Sequence, residues 1–283
     1  MTQSGFRIAT MSRSEVKFAI RLAEAEGWNP GLHDAATFFA ADPEGFLVGL
    51  LDDVPIGCIS AVRYPGALGF IGLYIVVPIQ RGKGYGLQLW NAAMTRLGGC
   101  NVGLDGVLAQ QDNYRRSGFR LDYSNLRFEA LGPHAVPPPA GVVPLRDISF
   151  AAIADYDRGA FPAARDAFLR AWIGQPDSAG FGVMNGDRLA GYGVIRRARS
   201  GWKIGPLFAD DAEVAERLFA ALTCRVEGND PVYLDVPEVN AAAMALAGRH
   251  RMRQVFGTAR MYTGESPAIA LGRVFGVTTF ELG

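Results

Sequence analysis

Six residues in the first half of the chain, Arg81-Gly82-Lys83-Gly84-Tyr85-Gly86, have the composition of a phosphate cradle. Glycine at every second position lets backbone N–H groups turn toward a ligand with no Cβ in the way. The residues that follow read as a helix, whose first-turn N–H groups lack partners and whose dipole presents its positive end. Arg81 and Lys83 add formal charge, so the segment suits a pyrophosphate. A dinucleotide fingerprint would need glycine where Leu87 stands and would lie nearer the start of the domain. A P-loop would need Gly-Lys-Ser/Thr at the helix start, which is absent. The competing reading is a tight strand-to-helix turn with a solvated basic face.

The elements that must position this loop can be read from periodicity. Ser12 and Glu15 have capping-box spacing, Val16, Ile20 and Ala23 share one helical face, and Gly27 closes that helix. A second short helix is predicted over residues 34–41. Residues 46–51 and 56–64 read as paired strands joined at Asp52-Asp53-Val54-Pro55. Residues 70–77 form a nearly unbroken apolar strand, as expected when both faces are covered. The loop follows, then a helix over 85–97 with Leu87, Leu89, Trp90 and Ala93 on its apolar side. A buried strand over 102–108, a short helix over 113–117 and a strand over 119–128 complete the half, a mixed α/β pattern.

At 283 residues the chain can hold two ordinary domains. Apolar residues make up 49% and charged residues 20%, as in a soluble globular enzyme, and the formal net charge is zero. Composition therefore gives no footprint for nucleic acid or an anionic membrane. Cys58, Cys100 and Cys224 are widely spaced, with no metal-ligand pattern, and read as free thiols of a reducing compartment. Met1 to Thr10 does not read as a signal peptide, and no stretch approaches the ~20 apolar residues of a membrane span. A cytoplasmic protein is the expectation.

Proline density from Gly132 to Gly141 marks a linker, taken as residues 133–142, between domains at 1–132 and 143–283. The second half reads as a copy of the first. Asp187 to Gly193 matches Asp53 to Ile59 at an offset of 134 residues, and Arg217 to Ala221 matches Gln88 to Ala92 at 129. The second copy is thus five residues shorter between those points. Tyr233-Leu234-Asp235 then answers Gly103-Leu104-Asp105.

Strand, then Arg-x-x-Gly-x-Gly at 81–86, then helix resembles the acyl-CoA loop of the GNAT acetyltransferase superfamily. Tyr114-Arg115-Arg116-Ser117-Gly118-Phe119 is similar to that family's Tyr-x-x-x-Gly-Phe, in the same order and at about the same spacing. The resemblance covers most of residues 6–130. It implies tandem lobes of α/β class, each a mostly antiparallel twisted sheet flanked by helices. It also implies that the strand before the loop and the next strand splay apart. Tyr74, Ile75 and Val76 would then offer backbone groups to the pantetheine arm of acetyl-CoA, and Arg81, Gly82, Lys83, Gly84, Tyr85 and Gly86 would hold the pyrophosphate. A backbone N–H near Val76 would polarise the thioester carbonyl.

Amide formation from a thioester needs a neutral amine, a polarised carbonyl and a proton for the departing thiolate. Tyr114 matches the family's general acid, and a phenol can donate while staying neutral; the plainer reading is an aromatic packed beneath the cofactor. Glu26, Trp28 and Asn29 follow the first helix, where the family builds one wall of its acceptor pocket. Glu26, and Asp34 beyond it, would attract a cationic amine or relay its proton; alternatively Asn29-Pro30-Gly31 is only a turn and Glu26 a solvated helix end. Asp105, inside an apolar strand, needs a partner if buried, and either pins a loop or faces the acceptor. Gln110, Gln111 and Asn113 stand near the expected cleft, and His33 is given no role.

The second copy has Gly205-Pro206-Leu207-Phe208-Ala209-Asp210-Asp211-Ala212-Glu213 where the glycine loop should be, and its three carboxylates would repel a pyrophosphate. Aligning Arg127 with Arg260 puts Ala247 opposite Tyr114. This resembles the degenerate second lobe of two-lobed GNAT proteins, expected to wall off the acceptor site. The expected function is N-acetylation of a small-molecule primary amine by direct attack on acetyl-CoA, with no metal, nucleic acid or membrane partner. The rival readings are a non-catalytic acyl-CoA sensor and a structural module. Monomer and homodimer fit the sequence equally.

Overall fold

The computed structural model describes residues 5–131, 139–226 and 228–283. Most of the expected linker, residues 133–138, lies outside the described residues. The first half runs β1 (Phe6–Thr10), α1 (Val16–Ala25), α2 (Asp34–Ala41), β2 (Phe46–Leu51), β3 (Val54–Tyr64), β4 (Leu68–Val76), α3 (Tyr85–Arg96), β5 (Asn101–Val107), α4 (Gln111–Arg116) and β6 (Arg120–Leu131). The second runs β7 (Val142–Pro144), α5 (Phe150–Ala160), α6 (Asp166–Ile173), β8 (Ser178–Asn185), β9 (Arg188–Arg197), β10 (Trp202–Ala209), α7 (Ala212–Thr223), β11 (Pro231–Pro237), α8 (Ala241–Arg249) and β12 (Arg253–Tyr262). The order of helices and strands is the same twice over. Among the described residues' strands and α-helices, a short β13 (Val274–Gly276) is the one without a counterpart.

Local sequence accounts for the elements. Glu15 accepts a 2.7 Å hydrogen bond from the Ser12 N–H, one side of a capping box. Val16, Ala19, Ile20 and Ala23 bury one face of α1. Asp52 and Asp53 both take positive φ, the conformation that lets a two-residue turn join β2 to β3. β4 is buried along most of its length, as its apolar run requires. No helix among the described residues is long and apolar enough to cross a membrane.

The strands form one sheet in the order β1-β2-β3-β4-β5-β12-β6-β11-β10-β9-β8-β7, with β13 beside β10. Two pairs are parallel, β4 with β5 and β10 with β11; the rest are antiparallel. The halves exchange their last strands. β12 of the second half lies between β5 and β6, and β6 of the first half lies between β12 and β11. The sheet therefore does not stop at the sequence boundary between the two copies.

Each exchanged strand is fastened to its host by a buried ion pair between directly opposed residues. Arg127 on β6 faces Asp235 on β11, with Nε and Nη2 donating at 2.6 and 2.8 Å. Arg260 on β12 faces Asp105 on β5, with Nε and Nη2 donating at 3.0 and 2.6 Å. The four side chains are 6% exposed or less. Burial alone would raise the Asp235 pKa, but Arg127 outweighs it and the net direction is down.

A third buried pair ties the halves together elsewhere: Arg196 on β9 donates to Asp34 on α2 from Nε at 2.9 Å and lies over the Trp172 ring. Trp172 in turn stacks on Phe38, inside a core shared by α1, α2, α5 and α6.

Residues 1–132 alone lack β12, which pairs with both β5 and β6, so that fragment should show no cooperative thermal unfolding while the full chain does. In the full chain, Arg260→Ala strands a buried carboxylate and should cost about 3–5 kcal/mol in urea denaturation. Replacing Arg260 and Asp105 together by Met and Leu should cost less than either single change.

Candidate active site

The parallel pairing of β4 and β5 ends at Ile71 opposite Leu104. Beyond that point β4 continues along β3 and β5 continues along β12, so the two strands part. A cavity of about 650 Å³ fills the gap. β4 also carries a bulge here. Leu73 and Tyr74 together oppose Ile59, and Leu73 takes φ of 47°. The Leu73 carbonyl accepts the Cys58 S–H at 3.0 Å, and burial pushes that thiol's pKa up, so Cys58 serves the bulge and not chemistry. A strained bulge re-aims backbone groups, in this case toward the opening left by β5.

The glycine loop closes one end of the cavity. Gly82 and Gly84 have positive φ with open space around them, and Gly84 immediately precedes α3. The first-turn N–H groups of α3 are therefore presented by a backbone that a side chain would strain. Arg81 braces the loop: its Nε donates to the Val76 carbonyl at 2.8 Å and its Nη2 to the Glu26 carboxylate. Lys83 hydrogen-bonds Gln80 at 3.0 Å. Tyr85 points away from the cavity, buried against Phe6, so only its backbone belongs to the cradle. Tyr74, Ile75, Val76, Arg81, Gly82 and Gly86 all line the cavity.

Tyr114 lies on the facing wall. Its ring packs against Trp90 and Phe119 and directly over Gly106 of β5, where any Cβ would collide with it. Burial, with Tyr74 nearby, pushes its pKa up to about 12, so the phenol keeps its proton across the neutral range. Asn113 and Ser117 of the same stretch also line the cavity, as does Gln110.

The remaining sequence-derived candidates divide. Trp28 lines the cavity. Glu26 does too, and its carboxylate is bonded to Arg81, which makes it a brace of the loop. Asp34 is 1% exposed, bonded to Arg196 and to the Gly31 N–H, and does not reach the cavity. Asn29 turns to Ser200, which it both donates to and accepts from, at 2.8 Å each. Both residues join the halves, and neither lines the cavity. Asp105 borders the cavity, and Arg260 and Asn125 bind its carboxylate.

Four further lining residues come from the second half: Phe256 and Thr258 on β12, and Phe280 and Glu281 beyond β13. Arg127 lies between them, its guanidinium over the Phe280 ring at 4.9 Å and near Phe256 at 5.7 Å, with Nη1 on the Trp28 carbonyl. None was readable as a site residue, because the strand exchange and the path of segment 274–283 bring them there. Gly72 was the available signal. A glycine inside a strand marks a bulge or a close backbone approach, and here it is both.

Family models fit both halves: the acetyltransferase (GNAT) family over residues 14–119 and an acetyltransferase (GNAT) domain over residues 153–276. The holothin acyltransferase of Pseudoalteromonas sp. (strain SANK 73390) is 32% identical over 92% of this chain and 89% of its own length. The chain belongs to the GNAT acetyltransferase family. It is a two-lobed GNAT protein, an acyltransferase of a family that works with acyl-CoA. Solved structures share the fold of this GNAT chain. A putative acetyltransferase from Pyrococcus horikoshii superposes with a TM-score of 0.83 at 22% identity, covering 99% of this chain and 96% of that one. A tandem GNAT protein from the clavulanic acid biosynthesis pathway, solved without AcCoA, gives 0.64 at 13% identity, covering 92% and 99%.

In this GNAT chain the second lobe does not keep an open cleft. β10 and β11 pair in parallel only to Ile204 opposite Leu234, repeating the geometry of β4 and β5. There, however, β13 pairs with β10 through Leu207 and Phe208, and the Val277 N–H donates to the Asp235 carbonyl on β11 at 2.9 Å. The chain's own segment fills the wedge. Asp211 caps α7 by accepting the Val214 N–H at 2.9 Å, and Asp210 takes Tyr156, Arg188 and Arg273, so neither acid is left to recruit a ligand.

Gly106→Ala should push the Tyr114 ring off its seat. The expected result is a ten- to hundredfold fall in kcat for acyl transfer, read by thiol release, with the melting temperature shifted by only a few degrees.

Proposed function

We propose that the chain moves an acetyl group from acetyl-CoA to a primary amine of a small molecule, by direct attack on the thioester, at one site per chain. The observation that carries this reading is the cavity running between the parted β4 and β5, with the glycine loop at one end and Tyr114 on its wall. When bound, the acyl-CoA supplies an activated acyl carbon on a thiol leaving group. The residues present fit such a molecule: open-φ glycines at a helix start suit its pyrophosphate, and the unpaired edge of β4 suits an extended arm.

The chain's own contributions are then defined. The re-aimed backbone around the Leu73 bulge supplies donors for the carbonyl oxygen as charge develops on it. Tyr114 Oη holds a proton at neutral pH and gives it to the departing sulfur as the carbon–sulfur bond breaks. The acceptor nitrogen attacks as the neutral amine, forms the new amide bond and releases its proton to water. The relative that acts on holothin supports a small acceptor in place of a flat protein surface. So does a concave site built from both lobes.

The test is free-thiol release from acetyl-CoA across a panel of amines. Turnover with at least one small amine is expected; coenzyme A binding with no turnover for any amine would favour a sensor. Tyr114→Phe should lower kcat by about 10²–10⁴-fold while leaving the coenzyme A Kd unchanged in calorimetry. Because burial raises the Tyr114 pKa to about 12, its proton is largely retained up to about pH 10. The wild-type kcat should therefore show no tyrosine-dependent decline between pH 8 and 10.

A further inference from the structure

Three carboxylates border the cavity, those of Glu26, Asp105 and Glu281. Glu26 is bonded to Arg81, and Asp105 to Arg260 and Asn125. Glu281 differs. One of its oxygens, Oε2, meets the neutral Thr279 hydroxyl. The other, Oε1, has no hydrogen-bond partner among the described residues and is not one of the sealed-off polar atoms of the interior. The Glu281 carbonyl lies directly on Gly72, where β4 leaves β5, so the backbone of Glu281 adjoins the strand assigned to the thioester and the residue lines the same cavity.

We propose that Glu281 anchors the acceptor's amine as it arrives as an ammonium, which loses one proton to water before the neutral nitrogen attacks, and that the acceptor is a compact, flat, largely apolar molecule carrying one primary amine. The proposal rests on the acyl-transfer reading above and names the substrate class of that site. Around Glu281 the walls are the rings of Trp28, Phe256 and Phe280, which offer flat apolar surface. The charges facing Glu281 are cationic: Arg127 on β6 and Lys203 on β10, with Asp235 on β11 already bonded to Arg127. All three guanidinium nitrogens of Arg127 are engaged, on Asp235 and the Trp28 carbonyl, so it offers no bond to an acceptor carboxylate. One ammonium finds one acceptor oxygen. A second positive charge on the same molecule would find no free carboxylate at the cavity wall and two cations nearby, which excludes polyamines.

The experiment compares tryptamine with spermidine as acetyl acceptors, in the wild type, Glu281→Gln and Glu281→Asp. The expected wild-type result is a kcat/KM at least tenfold higher for tryptamine. Glu281→Gln should raise the tryptamine KM about ten- to a hundredfold, with a smaller change in kcat and the coenzyme A Kd intact. Glu281→Asp keeps the charge opposite Arg127 and Lys203, so it guards against a folding defect, and the withdrawn oxygen should still raise KM. Spermidine preferred over tryptamine, or an unchanged tryptamine KM in both folded variants, would overturn the proposal. In parallel, tryptamine is titrated into the wild-type and variant proteins saturated with coenzyme A. If no amine is acetylated, the transfer reading fails, yet wild-type binding that weakens in Glu281→Gln still supports the anchor, and equal binding rejects it.

Discussion

The structure depends on two arginine–aspartate pairs that join strands from opposite halves of the chain, Arg127 to Asp235 and Arg260 to Asp105. Each pair is directly opposed in the ladder, so each fixes a register. A slip of one residue would turn an arginine to the other face of the sheet and leave a buried carboxylate alone. Net stability is a poor reason to bury such pairs, because desolvation takes back much of the Coulombic gain. Specificity is a better one. With β6 and β12 adjacent and each locked to the other half's penultimate strand, the two copies cannot close as separate sheets. The same pairing makes the cavity a joint product: Asp105 forms its wall while held from the second half, and Arg127 reaches its far end while held from the other side.

That asymmetry of use arises from a symmetric starting point. Ile71-Gly72 and Ile204-Gly205 occupy equivalent places, at the last paired residue of each parallel pair. Both glycines are covered by the same segment, Gly205 by the Val277 and Thr278 carbonyls and Gly72 by that of Glu281. In the second lobe the segment enters the wedge as β13 and fills it; in the first it crosses only the base and leaves the rest open. One stretch of chain thus closes one cleft and shapes the other. The charge pattern agrees, since acids cap the α7 terminus where glycines and cations precede α3.

Much of this was legible in the sequence, for local reasons. Periodicity located α1, the β2–β3 hairpin, β4 and α3 to within a residue or two, because each is set by its own apolar spacing and its own turn. The glycine loop was legible because positive φ at Gly82 and Gly84 is a backbone requirement that glycine announces. Tyr114 was legible as a motif, though its seat on Gly106 was not. The partners of other polar residues were not legible, for a common reason. Asp34, Asn29 and Asp105 looked like free polar groups near a cleft, but each is matched by a residue more than 150 positions away, Arg196, Ser200 and Arg260. Short-range pattern carries no information about such partners. Strand exchange was invisible for the same reason, since a strand's sequence tells how it is covered but not which neighbour it pairs with.

The partners also explain why the acceptor end has so few polar groups to offer. A site assembled between two copies of one fold inherits the acids and bases of both. In this chain nearly all of them are consumed in holding the copies together: Arg196 with Asp34, Arg127 with Asp235, Arg260 with Asp105. Lys203, buried without a hydrogen-bond partner among the described residues, shows the cost of crowding cations there; burial and Arg127 lower its pKa to about 8. Aromatic rings occupy the space that remains, two of them stacked on the Arg127 guanidinium. The chemistry left at the acceptor end is therefore apolar and flat, set by residues whose first duty is to the joint between the lobes. Selectivity at the proposed acceptor end then follows from which charges the joint leaves over.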